Sequence, residues 1–339
     1  MCRRPGGTWR RNRATADADI ELPFRRYRCH SPGLRSVING EMSDDQGLRR
    51  LSFGIAYRML GSVADAEDIV QETWLRLHKA QEQDTTIESE RAYVAAVTTR
   101  LAIDHLRSAR VKRESYVGNW LPEPLVSEVP EVVEQTEMAE SLSMAFLTIM
   151  ESLSPVERAV FLLREAFDYE YEEIATVVGK SEDNCRQLFA RARKHLEVGK
   201  PRFEASAEKR EELAASFFSA CERGDLAELE HVLAADVVFY GDGGGKATAA
   251  TQPVIGSDRV GRFLAGLFTK VFQFGLRMRR VTVNGQPGAM LLDPEGRLMN
   301  VMSLDIADGR VAAIRAVVNP EKLRHLGEVS DLLRIRGRQ

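Results

Sequence analysis

The chain has 339 residues, 44% apolar and 29% charged, the composition of a globular protein that is too long for one ordinary core and divides into two or three domains. It holds no apolar run of about eighteen residues, the length a membrane helix needs, and its N-terminus lacks the apolar stretch and small-residue cleavage site of a secretory signal. A net charge of −3 argues against a protein that coats nucleic acid indiscriminately, and four scattered cysteines (Cys2, Cys29, Cys185, Cys221) form no metal cluster and suit free thiols in a reducing cytoplasm.

Residues 1–42 form a basic leader in which Arg3, Arg4, Arg10, Arg11, Arg25 and Arg26 sit among Gly, Pro and Thr without helical or strand period. Either this is an arm that touches DNA phosphates, or the folded chain starts at Met42. The second account fits better, because Met42 immediately precedes the first periodic segment.

From Leu48 the apolar residues Leu48, Leu51, Ile55 and Met59 recur as one face of a helix that Gly61 ends. Ser62, with Asp65 three residues on, caps a second helix whose buried stripe runs Ala66, Ile69, Val70, Thr73, Leu77. Its other side carries Asp65, Asp68, Gln71, Glu72 and Arg76. A third helix, Glu90 to Ala109, buries Tyr93, Val94, Val97 and Leu101. It is basic toward its end: Arg100, Arg107, Arg110, Lys112 and Arg113 face a single acid, Asp104. Residues 43–113 thus form one helical unit.

A connector follows at 114–136. From Glu114 to Glu140 there are seven glutamates and neither Lys nor Arg. Pro122, Pro124 and Pro130 keep its first half non-helical. Trp120-Leu121-Pro122-Glu123-Pro124-Leu125 is apolar and stiff, so it is expected to dock on something. A helix is expected from Glu137 to Ser152. Ser154-Pro155-Val156-Glu157 then provides a cap, Pro in the first turn and Glu at the third position. Short helices over 155–166, 171–178 and 182–197, with a turn at Val178-Gly179-Lys180-Ser181, make residues 137–200 a helix-turn-helix unit. In its last helix Cys185, Leu188, Phe189, Ala192 and Leu196 point inward, while Asp183, Arg186, Gln187, Ala190, Arg193 and Lys194 point out. In a major groove Arg bonds guanine and Gln bonds adenine, so Arg186 and Gln187 are the candidate base readers. Lys180, Arg191 and Lys194 are the candidate phosphate anchors.

Beyond Pro201 the pattern becomes α+β over residues 205–325, with a tail at 326–339. Helices are expected at 208–222, 226–234 and 258–268. Strands are expected at 237–240, 274–283, 288–292, 298–306 and 311–318, forming an antiparallel sheet with breaks at Gly285-Gln286-Pro287, Asp293–Gly296 and the hairpin turn Asp308-Gly309. Asp242-Gly243-Gly244-Gly245-Lys246 lacks the spacing of a phosphate loop. Its glycines suit a close backbone approach, which makes Asp242 and Lys246 candidate contacts to the connector. His231 and Asp242 are the visible acid–base groups. No catalytic residue, cofactor or metal is expected.

The segment Ala64 to Leu77 (ADAEDIVQETWLRL) closely resembles region 2 of the extracytoplasmic-function class of sigma-70-family RNA polymerase sigma factors. The similarity extends through Ala92 to Arg110, including Leu-Ala-Ile-Asp-His-Leu-Arg at 101–107. Leu153 to Arg164 with the following helix-turn-helix resembles region 4. Three further motifs, Trp120–Leu125, Asp242–Lys246 and Asn319-Pro320-Glu321-Lys322-Leu323, resemble those of a subgroup with a SnoaL-like C-terminal extension. The resemblance implies two all-α sigma domains followed by an α+β SnoaL-like cone. It implies core RNA polymerase and promoter DNA as partners, no membrane, and a cytoplasmic location. Asp65, Asp68, Gln71, Glu72 and Arg76 would dock on the β′ clamp helices, and the helices ahead of the helix-turn-helix would grip the β flap. The third helix would melt the minus-ten element, the loop at Gln81 to Glu90 would capture a base, and the helix-turn-helix would read minus-thirty-five. The extension, in place of a separate anti-sigma protein, would hold the connector, with Trp120, Leu121, Pro122, Asp242, Lys246, Asn319 and Pro320 as the contact set and the cone's pocket open to an unknown small ligand. A one-component helix-turn-helix regulator with a ligand domain is the alternative, and it leaves residues 43–113 without a task.

Overall fold

The computed structural model describes residues 44–83, 86–127, 141–197 and 206–331. The Arg-rich leader, the second half of the acidic connector and the end of the tail lie outside the described residues.

Three helices, α1 (Asp44–Leu60), α2 (Val63–Glu82) and α3 (Glu90–Glu114), form the first unit. Gly61 adopts φ +64 to end α1, and the Ser62 hydroxyl then accepts from Asp65 N at 3.2 Å to open α2. Ile55, Met59, Ala66, Ile69 and Ile103 pack between them. The buried hydroxyls of Ser52, Thr73 and Thr98 satisfy one another at 2.8 and 3.2 Å, as an apolar interior demands.

Of the helix expected over 137–152, residues 137–140 lie outside the described residues, and the described part is α4, Met144–Met150. Ser143 stops it from extending backward, since its hydroxyl accepts from Phe146 N at 3.1 Å and caps the first turn. Then come α5 (Pro155–Glu165), α6 (Tyr171–Val178) and α7 (Glu182–Glu197). Ser154 and Glu157 close a capping box on α5, and left-handed Gly179 ends α6.

These two helical units share one core. Ile55, Met59 and Ile103 pack in the same cluster as Leu147, Met150 and Leu162. Arg158, only 3% exposed, seals the seam: Nη1 donates to Met59 O at 2.6 Å and Glu151 Oε1 at 2.8 Å, and Nη2 to Met150 O at 2.6 Å. Arg58 crosses from the other side, donating to Ser141 Oγ at 3.1 Å beneath the Phe167 ring, and burial brings its pKa down to about 10.

The C-terminal domain runs α8 (Ala207–Arg223), α9 (Leu226–Val232), β2 (Leu233–Asp242), β3 (Val254–Ile255), α10 (Ser257–Gln273), β4 (Arg277–Val283), β5 (Gln286–Leu292), β6 (Leu298–Ala307), β7 (Arg310–Val317) and α11 (Pro320–Leu323). The connector supplies β1 (Val126–Ser127), so the strand order is β1-β4-β5-β6-β7-β2-β3. The sheet is mixed rather than antiparallel, because β2 lies parallel to β7. Turn chemistry reveals hairpins between neighbours in the chain, and β2 meets β7 only after the whole domain has folded around. The β4–β5 turn is Asn284-Gly285, not Gly285–Pro287. Both residues have positive φ, +52 and +73, and Gln286 and Pro287 already belong to β5.

One sheet face packs on α8, α9 and α10 through Phe217, Phe218, Phe268, Leu304 and Ile314. The opposite face, with Val283, Met290, Val301 and Val317, takes Leu121 of the connector and Met144 of α4. Strand alternation therefore gives the domain its own core on one side and a docking face for the rest of the chain on the other. Among the described residues no helix is long and apolar enough to cross a membrane.

Candidate functional site

Asp242, at the end of β2, is fully buried, and its carboxylate is shared between the connector and the C-terminal domain. Oδ1 accepts from Tyr116 Oη at 2.5 Å; Oδ2 accepts from Leu121 N at 2.8 Å and Lys322 Nζ at 2.7 Å. The Lys322 ammonium also donates to Leu121 O, and lies 4.8 Å from the Tyr116 ring centroid and 4.5 Å from that of Trp120. A buried carboxylate and a buried ammonium thus hold each other and the backbone of Leu121, inside a cage of two aromatic rings. Burial and the bond to Asp242 push the Tyr116 phenol well above its ordinary range.

The parallel register of β2 and β7 sets Asp242 beside Val317, and the Asp242 carbonyl accepts from Val318 N at 2.8 Å and Asn319 N at 2.9 Å. Asn319 caps α11, with Pro320 in its first turn, and its Nδ2 donates to Tyr116 Oη at 3.0 Å. Gly244 explains its own presence. Its φ is +56, and a Cβ there would lie 2.3 Å from Asn319 Nδ2 and 2.8 Å from Tyr116 Oη. Lys246, expected to reach the connector, instead pairs with Glu321 and fastens the glycine loop to α11. His231 and Asp242 are not brought together: His231 is exposed at the end of α9, and the length of β2, about 30 Å, leads from there to Asp242.

On its other side the connector grips the first unit. Glu123 places its carboxylate on the N-terminus of α2, accepting from Val63 N at 2.7 Å and Ser62 Oγ at 3.1 Å, where the helix end favours negative charge. Trp120 is half-buried against Gly61, where a Cβ would lie 2.7 Å from Cη2; Leu121 and Pro122 are buried.

Two helices carry the other candidates. On α2, Asp68, Gln71 and Arg76 are exposed and Asp65 and Glu72 half-exposed, with Arg76 donating to Glu72 at 2.8 Å. Leu75 completes this face at 66% exposure; spacing of i, i+3, i+4, i+7 from Asp68 was the signal for it. On α3, Arg100 donates to Val177 O at 2.9 Å and Thr176 O at 2.8 Å, while Arg107 pairs with Asp104 at 3.2 Å. The side chains of Arg110, Lys112 and Arg113 lie outside the described residues. On α7, Gln187, Arg191 and Lys194 are exposed, as is Lys180 in the turn. Arg186 is exposed but held, pairing with Glu182 at 2.8 Å and lying 4.6 Å from the centroid of the Tyr171 ring.

Family models for Sigma-70 region 2, Sigma-70 region 4 and the SnoaL-like domain match residues 46–111, 143–196 and 214–319. The ECF RNA polymerase sigma factor SigJ of Mycobacterium tuberculosis is 37% identical over 293 residues, covering 83% of this chain and 93% of that relative. The chain belongs to the ECF sigma factors. A second relative in that species, the ECF RNA polymerase sigma factor SigG, is 27% identical over 80% of this chain and 79% of its own length. The crystal structure of SigJ superimposes with a TM-score of 0.67 at 35% identity, over 83% of this chain and 98% of that one. This ECF sigma factor is an alternative sigma factor with a fused SnoaL-like domain, and the helical units are its regions 2 and 4. Sigma factors bind core RNA polymerase and promoter DNA to initiate transcription.

Proposed function

We propose that the fused domain holds this sigma factor in a closed state that binding to core polymerase opens. The observation that carries the reading is the single core shared by regions 2 and 4, locked from outside by the Asp242–Lys322 grip on the connector. Promoter elements at minus ten and minus thirty-five are separated by about 25 base pairs, or about 85 Å at about 3.4 Å each. Two domains packed on one core do not span that distance.

In this scheme the α2 face (Asp65, Asp68, Gln71, Glu72, Arg76) docks on the β′ clamp helices, and the helices ahead of the helix-turn-helix dock on the β flap. Once apart, Arg100, Arg107, Arg110, Lys112 and Arg113 hold the melted minus-ten strand. Arg186 and Gln187 read the minus-thirty-five bases, with Lys180, Arg191 and Lys194 on phosphates. Freeing Arg186 from Glu182 and Tyr171 is part of that step. The protein works in the cytoplasm and performs no chemistry of its own. A small ligand of the fused domain enters at the groove of about 640 Å³ beside His231, between α8, α9 and the β6–β7 hairpin.

The test is run-off transcription with purified core polymerase on genomic fragments, comparing the full chain with its Asp242→Ala form. Specific transcripts from the full chain, increased in the variant at limiting polymerase, are expected. No transcripts from either form, together with specific binding to free duplex DNA, would overturn the reading.

A further inference from the structure

The Asp242 latch holds the connector, but it does not reach region 4. A different contact does. Asn284, in the β4–β5 turn of the fused domain, is 2% exposed, and its amide is fully engaged by three other parts of the chain. Oδ1 accepts from Leu125 N at 2.9 Å in the connector. Nδ2 donates to Tyr57 Oη at 2.7 Å in region 2 and to Leu142 O at 2.9 Å at the start of region 4. The Asn284 backbone N–H also donates to Leu125 O at 2.8 Å. Tyr57 in turn donates to Glu123 O at 2.7 Å, and its ring, wholly buried, stacks on Phe53.

Asparagine meets every demand of this position. The turn needs a positive φ at its first central residue, which Asn tolerates and most side chains do not. The junction needs one acceptor and two donors within reach of a short side chain, and a single carboxamide supplies both. Aspartate would keep the acceptor and lose both donors. Glycine would keep the turn and the backbone bond to Leu125 O and lose all three side-chain bonds.

We propose that Asn284 is a pin of the closed state: among the described residues its side chain hydrogen-bonds region 2, region 4 and the connector at once, at a point distinct from the Asp242 latch. The proposal rests on the closed-state reading above. Releasing Asn284 removes a hydrogen bond to region 2 and one to region 4 together and shifts the balance toward opening, while Leu121 stays latched to Asp242.

The experiment uses the full chain and two variants. Asn284→Gly keeps the left-handed turn and removes the amide; Tyr57→Phe removes one hydroxyl and little volume. Small-angle scattering reads compactness, hydrogen exchange at the Leu121 amide reads the connector latch, and run-off transcription reads output. In Asn284→Gly the closed-to-open ratio is expected to fall about tenfold, equivalent to about 1.4 kcal/mol, and transcription at limiting polymerase to rise with it. The Leu121 amide should remain as protected as in the parent chain. Tyr57→Phe should act in the same direction more weakly, and the double variant should open by less than the sum of the two single effects, since one hydrogen bond is common to both. Parent-like compactness and output in Tyr57→Phe and Asn284→Gly would overturn the pin, as would loss of Leu121 protection together with opening. Should Asn284→Gly fail to fold, Tyr57→Phe decides the question by the same readouts. An extended parent chain would overturn the closed state itself, a result distinct from failure of the pin.

Discussion

Arg100 donates from Nε to the Val177 carbonyl at 2.9 Å, so a cation of α3 caps the C-terminal end of the first helix of the helix-turn-helix. Helix C-termini favour positive charge, and the second donation, to Thr176 O, satisfies another end-of-helix carbonyl. While these bonds hold, the Nε and Nη2 donors face region 4 and not DNA, so closure and the proposed strand binding draw on the same group. Arg100→Gln is expected to loosen region 4 from region 2 by about 1–3 kcal/mol. It should also lower the salt dependence of promoter binding by about one counterion. Titrations at several salt concentrations check the second effect; an unchanged slope would leave Arg100 with only its capping role.

Lys322→Met is expected to cost about 3–5 kcal/mol, since it strands the Asp242 carboxylate in a fully buried site. The loss should appear in urea unfolding of the full chain, and adding Asp242→Asn should recover part of it because the stranded charge is then gone. Equal stability of the single and double variants would show that the pair is solvated in solution.

Closure should weaken in alkali. The Tyr57 phenol is pushed up by burial, and Tyr116 by burial and its bond to Asp242, so both stay protonated in the closed form above the ordinary tyrosine pKa of about 10. For groups with raised values the stabilisation is fully present below the unfolded pKa and is lost as pH rises from there toward the folded pKa. Closure is therefore expected to be insensitive to these phenols from pH 7 to about 9 and to fail progressively above about pH 10. Scattering across that range, repeated on Tyr116→Phe with a shallower alkaline dependence, checks the assignment.

The ion pair of Asp305 and Arg315 should behave in the opposite way to Lys322 and Asp242. Its closest atoms are 2.5 Å apart, yet Asp305 Oδ1 and Arg315 Nε and Nη1 are buried without a hydrogen-bond partner, as are both amide atoms of neighbouring Gln286. Burial raises the Asp305 pKa despite the nearby guanidinium. A pair so poorly compensated gains little from its attraction. Replacing both, Asp305→Leu with Arg315→Met, is expected to be neutral or to stabilise by about 1–4 kcal/mol, while either single change destabilises. Differential scanning calorimetry of the three variants distinguishes this from a well-made bridge.

Much of the helical half was legible because its signals are local. Ser62 and Ser154 announce helix starts, Gly61 and Gly179 announce ends, and the stripe of Cys185, Ala192 and Leu196 needs only a period of 3.6. Asp242 and Asn319 stood out through their motifs as expected contacts to the connector, although their partners there, Tyr116 and the Leu121 amide, did not. Lys322 lies inside one of those motifs and was passed over, since a lysine in sequence reads as surface; only the fold shows an acid and two rings around it. Asn284 was hidden for another reason. A residue before Gly reads as a turn former, and nothing nearby in sequence hints that Tyr57 and Leu142 arrive from more than a hundred residues away. The parallel pairing of β2 with β7, and the recruitment of Val126 and Ser127 as a strand, are likewise long-range events that periodicity cannot register.

That recruited strand divides the guarding of one sheet edge between two devices. Over its first residues β4 carries the exposed Arg277, Arg279 and Arg280, the kind of charge that discourages a foreign strand from joining. Over its last residues, Thr282 and Val283, there is no charge, and the connector itself occupies the edge. When the connector departs, that short stretch of backbone becomes a vacant seat for any extended chain. In the proposed cycle, opening away from polymerase would therefore invite self-association, and closure would keep that edge covered until a polymerase is at hand.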